Sequence, residues 1–155
     1  MAYSAITKPT TGTTVSKADF GDKVCDNDAL FYSLRDSVVW IPLNGATALT
    51  SGDKAYYRVP AKLNGGTLAA VAAACKVSSS SGVVTLAVKN GSTAMLTTNI
   101  TLDQSETDTL TAATAAVIDT NHDDLATGDL LEISVVGQGT GVTYCGVELT
   151  LRPAG

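Results

Sequence analysis

The stretch VTYCGVELTLR, residues 142–152, places Cys145, Val147, Leu149 and Leu151 on one side of an extended chain and Tyr144, Glu148, Thr150 and Arg152 on the other. Such period-two alternation buries one face and wets the other, the signature of an antiparallel strand covering a core from one side. Residues 129–136 repeat it: Leu131, Ile133 and Val135 oppose Glu132 and Ser134. So do Val84, Leu86 and Val88 against Thr85 and Lys89. Working outward, the same texture predicts strands at 37–43, 55–60, 67–77, 83–89, 96–103, 129–136 and 142–152. Seven such segments predict an all-β fold, an antiparallel β-sandwich (jelly-roll-like) with a short N-terminal arm and a short helical segment. A closed barrel is the second architecture.

The Ala-rich run LAAVAAAC, residues 68–75, tests this reading because alanine favours helix. Its shortness, the Gly-Gly turn before it and the SSSSG turn after it favour a strand whose small side chains let another sheet come close. Asn44-Gly45, Asn64-Gly65 and Asn90-Gly91 are turn signals, since both residue types tolerate the positive φ of tight hairpins. PLNGATAL at 42–49 faintly echoes KLNGGTLA at 62–69, too briefly for a repeat architecture. The long connection 103–128 is expected to cross from one sheet to the other.

Before residue 37 the texture changes. Residues 1–15 are Thr/Gly/Pro-rich and predict an extended arm. Ser16 and Asp19 resemble a capping box, and Leu30 and Leu34 share a face of a short helix expected at 27–35. The chain thus divides into an N-terminal arm and short helix, 1–36, able to order on a neighbour, and a β-sandwich domain, 37–155.

At 155 residues the chain can bury one real core. Its net charge of −5 and scattered basic residues disfavour nucleic acid, whose phosphates need clustered Lys and Arg. No stretch approaches the roughly 18 apolar residues of a membrane span, and the N-terminus lacks a secretory pattern, so a soluble chain made in the cytoplasm is expected. Cys25, Cys75 and Cys145 cannot all pair within one chain and lack metal or redox spacing. Buried reduced thiols are expected, with a Cys75 to Cys145 bridge the alternative.

Candidates for chemistry are few. The single histidine, His122 in DTNHDD, reads as solvated, and the adjacent Asp123 and Asp124 diverge on an extended segment. Asp119, Asn121 and Asp123 begin like an EF-hand loop, but Asp124 stands at the glycine position and Leu130 at the bidentate glutamate position. The reading is a solvated acidic turn, with a different kind of calcium site between loops as the alternative. Tyr56, Tyr57 and Trp40 could form a sugar platform, although their place in apolar strands favours core or subunit-interface packing. No catalytic, cofactor or metal residue is assigned, and no cofactor is expected.

AYYRVPAKLNGGTLAAVAAA (55–74), VKNGSTAMLTTNITLDQSETDTLTAATAAVID (88–119), DDLATGDLLEISVVGQGTG (123–141) and GVELTL (146–151) together resemble small tailed-bacteriophage virion structural proteins. In these a YYRVP-like strand, a Thr/Ala-rich crossover and a late GD-led strand pair recur in the same order. The resemblance implies a non-enzymatic β-sandwich module that binds itself and other coat components. As a capsid decoration (cement) protein it would sit on the outside of the head as a homotrimer, partnered by the major capsid protein. The alternative is a head- or tail-fibre module binding host-surface carbohydrate.

Overall fold

A computed structural model describes residues 36–154. Ten strands follow in chain order: β1 Ser37–Pro42, β2 Lys54–Arg58, β3 Thr67–Ala74, β4 Val84–Asn90, β5 Thr93–Ala94, β6 Leu96–Thr98, β7 Ile100–Leu102, β8 Val117–Ile118, β9 Leu130–Gln138 and β10 Gly146–Arg152. The only helical element among the described residues is a single 3-10 turn, Ala61–Leu63. The described residues are mostly strand with a single helical turn, and all their strand pairings are antiparallel, so this part of the chain is all-β. The predicted arm, the Ser16/Asp19 cap, the helix at 27–35 and Cys25 lie outside the described residues.

Two sheets carry the core. One runs β1-β10-β3; the other runs β2-β9-β4, with β5 and β7 both pairing with β4; neither closes on itself. A two-stranded ribbon of β6 and β8 lies beside them. The alternation read from the sequence decides what faces inward: Val147, Leu149 and Leu151 of β10, Leu131, Ile133 and Val135 of β9, and Val84, Leu86 and Val88 of β4 are all buried in one apolar cluster. Each such side chain contributes roughly 1.5–3 kcal/mol of burial free energy.

The Ala-rich segment is indeed a strand. Its partner β10 lies on one side, and the long 103–128 connection protects its other edge. Cys75 N–H and Thr109 N–H donate to the carbonyls of Thr107 and Ala73 at 2.8 and 3.1 Å, while Leu68 N–H and Leu125 N–H donate to those of Asp123 and Gly66, both at 2.9 Å. An edge strand of small side chains would otherwise invite foreign pairing. The connection therefore runs along β3 at both its ends rather than simply crossing between sheets, and it contains β8, a strand of two residues too short for a local pattern to mark.

Three other expectations are corrected. The predicted strand 96–103 is two: β6 pairs with β8, and β7 pairs with β4. The predicted strand 142–152 starts only at Gly146, because Tyr144 takes a left-handed φ of 51° and breaks the extended run. Of the three Asn-Gly pairs, only Asn90-Gly91 makes a tight hairpin, joining β4 to β5 with Gly91 at φ 58°. Asn44 instead ties the end of β1 to the loop before β10 by its side chain, accepting from Cys145 N–H at 2.7 Å and donating to the Val142 carbonyl at 3.1 Å.

Candidate functional site

The acidic turn is organised by its own hydrogen bonds. Asp119 pairs with His122 Nδ1 at 2.8 Å and accepts from Asn121 N–H at 3.1 Å. These bonds, the His122 one foremost, hold its carboxyl below the ordinary aspartate value. Asp129 Oδ2 accepts from Asn90 Nδ2 at 2.6 Å and from Ala126 N–H at 2.9 Å, tying the β8–β9 turn to the β4 hairpin. Asp124 sits in a bridge to Thr67. Among the described residues no three His, Cys, Asp or Glu side chains are placed to hold a metal ion. A shallow depression of about 220 Å³, lined by Asn90, Thr93, Asn121, His122 and Asp124, opens beside this turn.

Cys75 and Cys145 are both free and buried. Burial pushes the Cys145 thiol up to about 12, and it also raises that of Cys75, so both stay protonated and unreactive near neutrality.

The outer faces of the two sheets carry what the turn does not. On the larger sheet, Tyr56, Glu132 and Lys89 form one cross-strand row. Glu132 accepts from Lys54 Nζ at 2.9 Å and from the Tyr56 hydroxyl at 3.2 Å. The Lys54 bond chiefly lowers the Glu132 carboxyl and raises the Lys54 ammonium. Leu130 and Val136 stand exposed on the same strand.

On the three-stranded sheet, cross-strand rows run Val38–Thr150–Ala70, Trp40–Glu148–Ala72 and Pro42–Gly146–Ala74. The Trp40 indole leans over Gly146: a β-carbon placed there would lie 2.4 Å from Trp40 Cζ2. Glycine thus lets the ring lie down on the sheet, while 49 % of the residue stays exposed. Beyond Gly146, Tyr144 projects its ring outward, and Lys76 Nζ stands 5.3 Å from the ring centroid, within cation–π range. The left-handed backbone of Tyr144 costs of order 1–3 kcal/mol in a non-glycine residue. It is held by the Tyr144 N–H to Gly45 carbonyl bond at 2.9 Å and by the Asn44 bridge to the next residue.

Of the three aromatics singled out from the sequence, only Tyr57 packs against the core; Trp40 and Tyr56 face outward from opposite sheets. The structure therefore does not bring the three together. Tyr144 and Glu148 stand on the wet side of the alternation at 142–152, which does not say what gathers there, and Lys76 lies in the turn after β3, where no pattern marks it. No helix among the described residues is long and apolar enough to cross a membrane. No protein-family model, curated protein or solved structure matches the chain.

Proposed function

We propose that this chain is a non-enzymatic bacteriophage virion structural protein, a capsid decoration (cement) protein of jelly-roll-like β-sandwich form that binds the outside of the head and stabilises it. The observation that carries this reading is the pair of extended outer sheet faces with apolar side chains left exposed: Val38 and Trp40 on one, Tyr56, Leu130 and Val136 on the other. Apolar surface left in water by a small protein marks places where other protein surfaces settle. Two such faces on one module allow one contact with the shell and another with a neighbouring copy, and a head-to-tail contact that closes after three copies gives the homotrimer suited to a threefold lattice position. The order of the YYRVP-like strand, the crossover and the late strand pair supports the same class. Major capsid protein is then the partner, and the capsid surface the location.

Co-sedimentation of the purified full chain with heads stripped of decoration tests this. Saturable binding at a fixed ratio to the coat lattice is expected, together with greater resistance of the loaded heads to heat. Absence of binding to the shell, with binding to tails alone, would overturn it.

A further inference from the structure

We propose that Cys75 and Cys145 are a latent cross-strand disulfide: two thiols held opposite each other in the reduced fold, which close into a covalent tie between β3 and β10 in oxidising surroundings. The register is fixed from both sides. Gly146 pairs with Ala74 at the end of the β3–β10 ladder, and Val77 bridges to Thr143 beyond the left-handed Tyr144. The count between the two segments therefore does not slip, and Cys145 stands directly opposite Cys75. Both side chains lie in the apolar core cluster, continuing the inward-facing row of Val147 and Ala73.

The backbone hydrogen bonds define the kind of pair. Cys75 N–H donates away from β10, to the Thr107 carbonyl at 2.8 Å. Cys145 turns its backbone groups toward the end of β1: its N–H donates to Asn44 Oδ1 at 2.7 Å, and its carbonyl accepts from Leu43 N–H at 2.9 Å. The two cysteines thus exchange no backbone bond with each other. A non-hydrogen-bonded antiparallel pair sets its Cα atoms about 4.5 Å apart and brings its side chains closer than a bonded pair does. A disulfide spans Cα atoms roughly 4.4–6.8 Å apart, so this pair can be bridged with little backbone movement. Burial first, and then the neighbouring Cys75, raise the Cys145 thiol, as two sulfurs in proximity should.

The oxidant is a small organic disulfide such as oxidised glutathione. Cys75 is the nearer to the surface, 9 % exposed against 1 % for Cys145, and reacts first. Its deprotonated sulfur attacks one sulfur of the small disulfide, breaks that S–S bond and releases one small thiolate. Cys145, deprotonated in turn, attacks the Cys75 sulfur of the mixed disulfide and expels the second small thiolate. The two protein thiols give two electrons to the small disulfide, and the two released thiolates take up the two protons. Cys75 Sγ donates to the Glu106 carbonyl at 3.8 Å, and with the Thr107 bond this covers the thiol, so exchange in the folded protein proceeds through local opening of the 106–109 stretch. A reducing cytoplasm leaves the pair open. Outside it, the bond closes a loop of about 70 residues that contains β4 to β9. The tie goes beyond the decoration reading and does not depend on it, because it is read on the isolated chain.

The test uses the full chain with Cys25→Ser, which removes the third thiol as a competing partner. The folded protein is held in oxidised glutathione just below the onset of its melt, and a second sample is refolded from urea in the same buffer, where no cover slows exchange. Intact mass should show the loss of two hydrogens, peptide mapping should join Cys75 to Cys145, and Tm should rise by about 10 °C over the reduced protein. Dithiothreitol should reverse all three. With Cys75→Ala on the same background, the oxidant should leave Tm unchanged. Thiols that stay free by both routes, or a product that stops as a glutathione adduct, would overturn the proposal, as would a joined form that melts no higher than the reduced one.

Discussion

Replacing Gly146 with alanine tests the packing of the Trp40 ring against β10. The new β-carbon would lie 2.4 Å from Trp40 Cζ2, 2.7 Å from Cε2 and 2.8 Å from the Ile41 carbonyl oxygen. To restore ordinary contact at 3.4 Å the ring must retreat by about 1 Å and the carbonyl by about 0.6 Å. The ring can swing into solvent, whereas the carbonyl belongs to the backbone of β1, paired with β10 through Ile41 and Val147. Overpacking of this kind costs about 1–3 kcal/mol, which corresponds to a fall of roughly 3–10 °C in Tm for a chain this size. Circular-dichroism melts measure the loss, and the emission of the single tryptophan reports whether the indole has moved to a wetter site. In a Trp40→Ala background the same glycine substitution should keep most of its cost, since the backbone carbonyl clash, the one that cannot swing away, remains. A Gly146→Ala protein that melts within about 1 °C of the parent, with unchanged emission, would refute the close approach of ring to strand.

Acid should weaken the fold through Glu132 and Asp119. Their folded carboxyls lie below the ordinary 4.5 and 3.8, so the stability they contribute is full above those values and is lost as pH falls through the lower folded ones. Lys54→Met should flatten the Glu132 share of that acid limb in melts taken across the pH range. In a Cys25→Ser variant, Cys75 and Cys145 should react with a thiol reagent at pH 8 only after denaturant is added; prompt labelling of the folded protein would contradict their burial. Asp129→Ala should cost about 0.5–1.5 kcal/mol by removing the bonds to the half-buried Asn90 amide and the exposed Ala126 N–H, measured by urea unfolding. Chelator should leave the calorimetric melt unchanged, because the Asp119 and Asp129 carboxylates are already engaged within the protein; a drop of many degrees would reveal a bound cation.

Strands β4, β9 and β10 were legible because their buried faces alternate without interruption, and the Ala-rich β3 because its flanking turns leave no room for a helix. The division of 96–103 was not, since Leu96, Ile100 and Leu102 are all buried and the alternation runs on unbroken while the hydrogen-bonding partner changes from β8 to β4. Partner choice is a tertiary fact that a local pattern does not encode. Tyr144 misled for a related reason: nothing about a tyrosine announces a positive φ, which here is imposed by the Asn44 bridge from 101 residues away in sequence. After Ser37 the run VVWIPL is apolar at every position, so it gives no side to Trp40, and the outward pose of the ring depends on a glycine in another strand. The grouping of Trp40, Tyr144, Lys76 and Glu148 is therefore unreadable from the sequence, its members coming from β1, the loop before β10, the turn after β3 and β10.

The proposed location on a virus particle is tested by immunogold labelling of intact particles from the host that makes this chain. Label distributed over the head in a lattice-like pattern, in many copies per particle, is predicted. Label confined to the tail, or particles that carry none, would contradict it.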